Sequence, residues 1–308
     1  MSKKKKIKYS VIIPHKNDFK NLERLIHSVY YLEDSEIIVV DDHSSYIEKD
    51  KLNNLMLRYP NLVIKSSDSI GAGAARNFGI SLARGDWLIF ADSDDCFDKQ
   101  ASQIIPNFFE SDSDVVYFRP EVEVVKRNDY RLFLKRLFDQ YLSNPIMTNE
   151  WSIRLNFDVP WSKMIKRKYI KENGFGFSRF LKQEDTMFSE MVGINAHFVQ
   201  ISKYSIYKVV DRASSTSHKL GKNFFESQID AIIASYVYKE NNVSDHRLIK
   251  SDKIHFHEPL YAVLWSFKHY KSWSYSLDVY SKFKKRDIPV FTFRAYKSLI
   301  QRYASHDA

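Results

Sequence analysis

With 308 residues, 44% hydrophobic and 28% charged, the chain has ordinary globular composition and enough length to bury a sizeable core. A formal net charge of +9 favours an anionic partner: a nucleotide, a nucleic acid or a lipid surface. One cysteine, Cys96, excludes an intramolecular disulfide, fits a reducing compartment and reads as a small buried side chain without an activating cluster. No apolar run is long enough to span a bilayer. Lys3 to Lys6 imitate the start of a signal peptide, but residues 9–13 are too short for its apolar segment, so a cytoplasmic location is expected.

In chain order, residues 9–13 form a β-branched strand stopped by Pro14, and the polar turn His15-Lys16-Asn17-Asp18 follows. Asp18 is placed to cap a helix whose Leu22, Leu25, Ile26 and Val29 fall at helical spacing. A second buried strand over 36–40 ends at Asp41-Asp42-His43-Ser44-Ser45; the next helix carries Ile47, Leu52, Leu55 and Met56 and stops at Pro60. Residues 62–64 are a third strand, and Gly71-Ala72-Gly73-Ala74-Ala75-Arg76-Asn77 leads into a helix through about Ala83. A fourth strand over 87–91 runs into Asp92-Ser93-Asp94-Asp95. Strand and helix alternating at this spacing imply right-handed crossovers and a mostly parallel sheet. All four strands then release a polar loop at one edge, where open α/β sheets bind ligands.

Three carboxylates within four positions repel one another unless a positive charge sits among them. A divalent cation answers that need, since Mg²⁺ commonly joins one or two carboxylates to substrate phosphates; an acidic helix-capping turn is the plain alternative.

Beyond residue 98 the pattern predicts a helix to about 110, a strand over 114–118 and an amphipathic helix over 127–142. A short helix is expected to open at 160–165 and close at Asn173-Gly174. After a loop over 175–181, Lys182-Gln183-Glu184-Asp185 precede a helix with Met187, Phe188 and Met191 inward, then a strand pair over 198–201 and 204–210. From residue 223 the chain turns helical, basic and aromatic, which suggests a soft division into 1–215 and 216–308.

Taken together, Val11-Ile12-Ile13-Pro14, Ile38 to Ser44, Ala74-Ala75-Arg76-Asn77, Asp92-Ser93-Asp94-Asp95 and Glu184-Asp185 resemble the inverting GT-A glycosyltransferases over about residues 10–210. The resemblance implies an α/β, Rossmann-like, mostly parallel sheet with a C-terminal helical appendage. It also implies transfer of a sugar from a nucleotide-diphosphate donor, expected to be a UDP-sugar, to a hydroxyl of a glycan or lipid-linked glycan. Carried over by position, Pro14, His15 and Asn17 line the base, and Asp41 and Asp42 hold uracil and ribose. Arg76 forks onto the diphosphate; Asp92, with Ser93 beside it, faces the ribose, and Asp94 takes Mg²⁺ or Mn²⁺. Asp185 is the catalytic base, and His218 stands where some relatives complete the metal shell, or is a surface histidine. His15-Lys16 replaces the family's usual threonine-tyrosine, and Ser69-Ile70 precedes Gly71 in place of asparagine, so donor identity stays open.

Several residues admit plainer roles. Asp95 either joins the site or caps the next helix, and Glu184-Asp185 also suit a helix start. Lys163, after Pro160-Trp161, has a family-like position from which it would approach the diphosphate or acceptor, but reads first as a solvated lysine beside Lys166, Arg167 and Lys168. The aromatic, basic tail suits either a helical subdomain, with its aromatics in a core or a dimer contact, or a surface resting on anionic membrane. A non-catalytic nucleotide-sugar-binding scaffold is the alternative function. A nucleic-acid-binding protein explains the tail but leaves carboxylates facing phosphates. Oligomeric state is not legible.

Overall fold

Seven strands make the central sheet of the computed structural model, which describes residues 6–121, 130–210, 221–251, 253–292 and 295–296. They are β1 (Tyr9–His15), β2 (Ser35–Asp41), β3 (Leu62–Ser66), β4 (Trp87–Phe90), β6 (Val115–Phe118), β7 (Lys163–Lys166) and β8 (Val199–Ser202). A small second sheet pairs β5 (Cys96–Phe97) with β9 (Tyr207–Lys208). The main order is β3-β2-β1-β4-β7-β6-β8, and only β7 runs antiparallel to its neighbours. β1, β4 and β6 are buried along their whole length, which is why they read as continuous apolar runs.

The helices are α1 (Phe19–Val29), α2 (Tyr46–Arg58), α3 (Ala72–Leu82), α4 (Ala101–Ile104), α5 (Tyr130–Ser143), α6 (Met147–Asn156), α7 (Arg167–Asn173), α8 (Glu184–Asn195), α9 (Lys222–Asn242), α10 (His246–Ser251), α11 (Lys253–Tyr270) and α12 (Trp273–Lys284). On α1 the four expected apolar residues are all buried. Asp18 occupies its N-cap position as expected, with its carboxylate on the Asn21 side-chain amide at 2.9 and 3.0 Å rather than on a helix N–H.

Three expectations change. The helix over 99–110 shortens to α4 and a 3-10 turn, Ile105–Phe108, that accommodates Pro106 near its start. Residues 163–166 are a strand rather than a helix, because Met164 and Ile165 are buried between β4 and β6. The segments 198–201 and 204–210 do not pair with each other: β8 joins β6 in parallel, and β9 crosses to β5. Helix α6 and strand β5 were not foreseen from the sequence.

One core spans the sheet and its covering helices from Tyr9 to Tyr207. A second lies in the tail, where Phe225, Ile229, Leu260, Val279 and Phe283 pack with Trp265, Tyr270 and Tyr275. A third, smaller cluster joins Leu155 and Ile194 to Val243, Leu248 and Ile249, so α9 and α10 rest on α6 and α8. The tail's aromatics therefore divide: most line its core, while Trp273, Phe291 and Tyr296 face outward. The foreseen division at residue 215 falls outside the described residues.

Candidate active site

Parallel registry brings the ends of the first strands to one edge, with His15 opposite Asp41 and Asp41 opposite Ser66. There the first two loops clasp each other. Asn17, at a φ of 52°, donates its N–H to Ser44 Oγ at 2.9 Å, and the Ser45 N–H donates to Asn17 Oδ1 at 2.7 Å. Asp41 is buried and accepts the Ser44 N–H at 3.3 and 3.4 Å, whereas Asp42 faces Lys16 at 3.8 Å and His43 at 3.1 Å. Pro14 and His15 are buried beneath this turn, and Asn17 is exposed on it.

The next layer is built around Arg76, only 4% exposed on α3. Its Nη2 meets Asp92 Oδ1 at 2.6 Å and its Nη1 meets Glu184 Oε1 at 3.2 Å, while the guanidinium lies 5.2 Å from the centre of the Phe177 ring. Burial alone draws the guanidinium pKa down, but Asp92, Asp185 and Glu184 outweigh it and hold the pKa above its ordinary value. The sequence assigned Arg76 to phosphate; here both ends of its fork are taken by carboxylates of two separate motifs. Close approach of α3 depends on Gly73, where a Cβ would sit 2.8 Å from the Ser178 carbonyl and 3.0 Å from Glu184 Cγ.

The acidic turn after β4 is fastened from behind by Tyr207. Its hydroxyl accepts the Asp92 N–H at 2.8 Å and donates to Asp95 Oδ2 at 2.9 Å, and the Val210 N–H donates to Asp95 Oδ1 at 2.8 Å. Asp95 therefore ties the turn to β9 and does not cap a helix. Burial, then the charge of Asp92, pushes its carboxyl up to about 7. Trp161 stacks on Tyr207 at 5.6 Å and 13°, locking that ring. Ser93 and Asp94 lie half-buried at the tip, where Arg24 donates to the Asp94 carbonyl.

Asp185 stands in the first turn of α8, after Gln183 at a φ of 59°. The loop leading there is held by Asn77, whose amide exchanges two hydrogen bonds with the Phe177 backbone at 2.8 and 2.9 Å. Phe177 in turn stacks on Phe188 of α8 at 4.0 Å. Asp185 keeps a partial opening to solvent, yet surrounding atoms strip much of its hydration. That burial, reinforced by Glu184 and opposed by Arg76, pushes its carboxyl up to about 7.

Lys163 is not solvated. It is 1% exposed, its ammonium donates to the Phe157 carbonyl at 2.7 Å, and the Tyr117 and Phe157 rings flank it at 5.5 and 5.0 Å. Burial draws its pKa down to about 7 against the pull of Asp158, Asp185 and Glu190. The strand that replaces the expected helix is what turns this side chain inward. Asp158, five residues before it and unforeseen, bonds Tyr130 and approaches Thr186 Oγ1 at 3.5 Å. Tyr207 and Asn77 were likewise missed as supports; Asn77 stood inside a recognised motif, but Tyr207 gave no local signal. Cys96 is half-buried on β5, its thiol pKa raised by burial.

Among the described residues no group of three or more His, Cys, Asp or Glu encloses a cation, and His218 lies outside those residues. The carboxylates of the acidic turn are nonetheless hard oxygen donors, and Mg²⁺ needs only one or two of these when substrate phosphates complete its shell. The donor set fits such an ion. A groove of about 640 Å³ lies at the opposite edge beside Trp87, Lys166 and Arg167. Its Lys6–Asp86 and Lys168–Glu172 pairs, at 2.8 and 3.6 Å, neutralise one another away from these motifs.

The model of glycosyl transferase family 2 matches residues 10–174, more than half of the chain. A poly(ribitol-phosphate) β-glucosyltransferase of Bacillus spizizenii is 30% identical over 256 residues, covering 79% of this chain but 39% of the relative. The chain thus spans well under half the length of that protein. The poly(ribitol-phosphate) β-N-acetylglucosaminyltransferase TarP of Staphylococcus aureus is 28% identical, covering 78% of this chain and 76% of its own. Among solved structures, S. aureus TarS 1-349 with UDP-GlcNAc superposes at a TM-score of 0.62 and 21% identity, over 91% of this chain and 78% of the other. A Pyrobaculum calidifontis mannosyltransferase with GDP-Man and Mn²⁺ superposes at 0.57 with 11% identity, over 96% and 79%. The chain belongs to glycosyl transferase family 2 and has the GT-A fold.

Proposed function

We propose that this chain is a glycosyltransferase that moves a sugar from a UDP-sugar to a hydroxyl of a glycan or lipid-linked glycan by a single inverting displacement. The observation that carries the reading is the Arg76 bridge, which joins Asp92 of the acidic turn to Glu184 beside Asp185. Donor side and base side are thereby held at one sheet edge. UDP as the nucleotide is supported by the UDP-GlcNAc complex of TarS, and an anionic acceptor by the poly(ribitol-phosphate) relatives together with the net charge of +9.

In this scheme Asp41, Asp42 and the clasped first loop, with Pro14, His15 and Asn17, receive the nucleoside, and Asp92 and Ser93 flank the ribose. Asp94 would hold Mg²⁺ or Mn²⁺ against the diphosphate, which supplies neutralisation of the charge that builds on the leaving group. Asp185 takes the proton of the acceptor hydroxyl as that oxygen attacks the anomeric carbon opposite the leaving group. The new carbon–oxygen bond forms as the bond to the diphosphate breaks, and UDP departs with its electron pair. Contact with an anionic membrane through the tail is part of the same proposal, as the acceptor's setting.

Asp185→Asn tests the scheme. It is expected to bind UDP as the parent does while losing about 10²-fold or more in turnover. NMR of the parent's product is expected to give the inverted anomer. Near-parental turnover in the variant, or a retained anomeric centre, would sink the single-displacement reading.

A further inference from the structure

Helix α9 lies beyond the residues matched by the family model, yet its polar side chains reach the helix that carries Asp185 at three points. Before that helix, the Leu181 N–H donates to Ser227 Oγ at 2.7 Å. In its middle, Glu190 Oε1 accepts Ser235 Oγ at 2.7 Å and meets the Lys239 ammonium at 2.9 Å, with both charged side chains at least 95% buried. At its end, Asn195 donates to the Tyr238 hydroxyl at 2.6 Å. The Leu155, Ile194 and Val243 cluster closes the remainder of this contact.

A buried Lys–Glu pair is a poor way to gain stability, since desolvation offsets most of its attraction. What it supplies is direction: it is satisfied in one rotation and one register of the two helices, whereas apolar contact tolerates sliding. Glu190 lies five residues after Asp185 on the same helix. A cleft of about 20 Å³, room for about one water, runs from Glu190, Ser235 and Lys239 to Gln183 and Thr186, which bracket Glu184-Asp185. The polar clasp thus continues to the turn that bears the base.

We infer that α9 is a positioning element for catalysis, with Lys239 as its key positioning residue, setting the register of the helix that presents Asp185 to the acceptor. The inference rests on the reading of Asp185 as the base. It makes the C-terminal helices part of the catalytic unit rather than an attachment.

The test compares Lys239→Met, Lys239→Arg, Ser227→Ala and Asp185→Asn in the full chain, with steady-state kinetics and UDP affinity measured for each. Lys239→Met is expected to lower kcat by about tenfold or more, since misplacement of about an ångström has that scale of effect, while donor KM and UDP affinity stay within about twofold. Lys239→Arg is expected to recover most of the loss. Ser227→Ala, milder and outside the buried pair, is expected to lower kcat severalfold; it keeps the inference testable where Lys239→Met does not fold. Unchanged kcat in Ser227→Ala and in a folded Lys239→Met overturns the inference, as does parallel loss of turnover and UDP affinity. Should Asp185→Asn itself retain turnover, the base reading falls; should it fail while both α9 variants remain active, only the positioning role falls.

Discussion

At the scale of single residues, Asp185 carries an electrostatic cost that can be measured apart from chemistry. Burial first, then Glu184, pushes its carboxyl up to about 7, from about 3.9 in an unfolded chain. The folded state therefore binds this proton more tightly than the unfolded one. The stability associated with that proton is fully present below about pH 4 and is lost as pH rises through about 7. Asparagine cannot ionise. Asp185→Asn is accordingly expected to melt with the parent near pH 4 and above it near pH 8, by roughly 2–3 °C where about 1 kcal/mol is relieved. Differential scanning fluorimetry across that range checks it, and a variant less stable than the parent at pH 8 would mean that the ionised carboxylate is well accommodated. The same proton sets the acid limb of turnover: a base must be ionised to act, so kcat is expected to fall as pH drops below about 7.

At the scale of elements, the site depends on how closely α3 meets the loop before α8. Gly73 permits that approach, since a Cβ there would stand 2.8 Å from the Ser178 carbonyl, a backbone atom that cannot swing aside. Gly73→Ala is expected to lower stability by about 1–3 kcal/mol, the usual range for overpacking, and to lower kcat by stretching the Arg76–Glu184 contact. Urea denaturation and steady-state kinetics read the two effects separately; an unchanged midpoint with unchanged kcat would show that the loop yields freely. This junction also marks what the sequence could tell. β1 to β4 and their helices were legible because alternation of buried strand and amphipathic helix leaves a periodic trace, and the motifs lie at their ends. The stretch Lys163–Lys166 was not, since two apolar residues between lysines have no period, and only contact with β4 and β6 makes it a strand. With it went Lys163, read as solvated from its basic neighbours when β7 turns it into the core. Tyr207 was unreadable for a related reason: its hydroxyl serves Asp92 and Asp95, more than 110 residues earlier, and no local pattern encodes a partner at that distance.

At the scale of the whole molecule, the charge of +9 and the divided tail can be considered together. Among the described residues no helix is long and apolar enough to cross a membrane. On α12, Trp273 and Leu277 are one helical turn apart and 70% and 61% exposed, and Phe267 of α11 lies 4.0 Å from the Trp273 ring. Lys268 and Lys284 on the same pair of helices, Lys271 in the link between them, and Lys285 and Arg286 in the turn that follows are exposed. Aromatics bordered by cations suit the boundary of an anionic bilayer, where each cation near the surface contributes about 1 kcal/mol. Such binding has a screening signature, because the Debye length falls from about 10 Å at 0.1 M salt to about 3 Å at 1 M. The protein is expected to float with vesicles containing phosphatidylserine at about 0.1 M salt, to release at about 1 M, and to ignore neutral vesicles. Trp273→Ala combined with Leu277→Ala is expected to weaken flotation severalfold without altering turnover on a soluble acceptor. Flotation that is indifferent to both salt and this double variant would place the contact elsewhere. A change in oligomeric state on the same substitutions, with no vesicle binding in the parent, would mean that a second copy of the chain, rather than lipid, covers these rings.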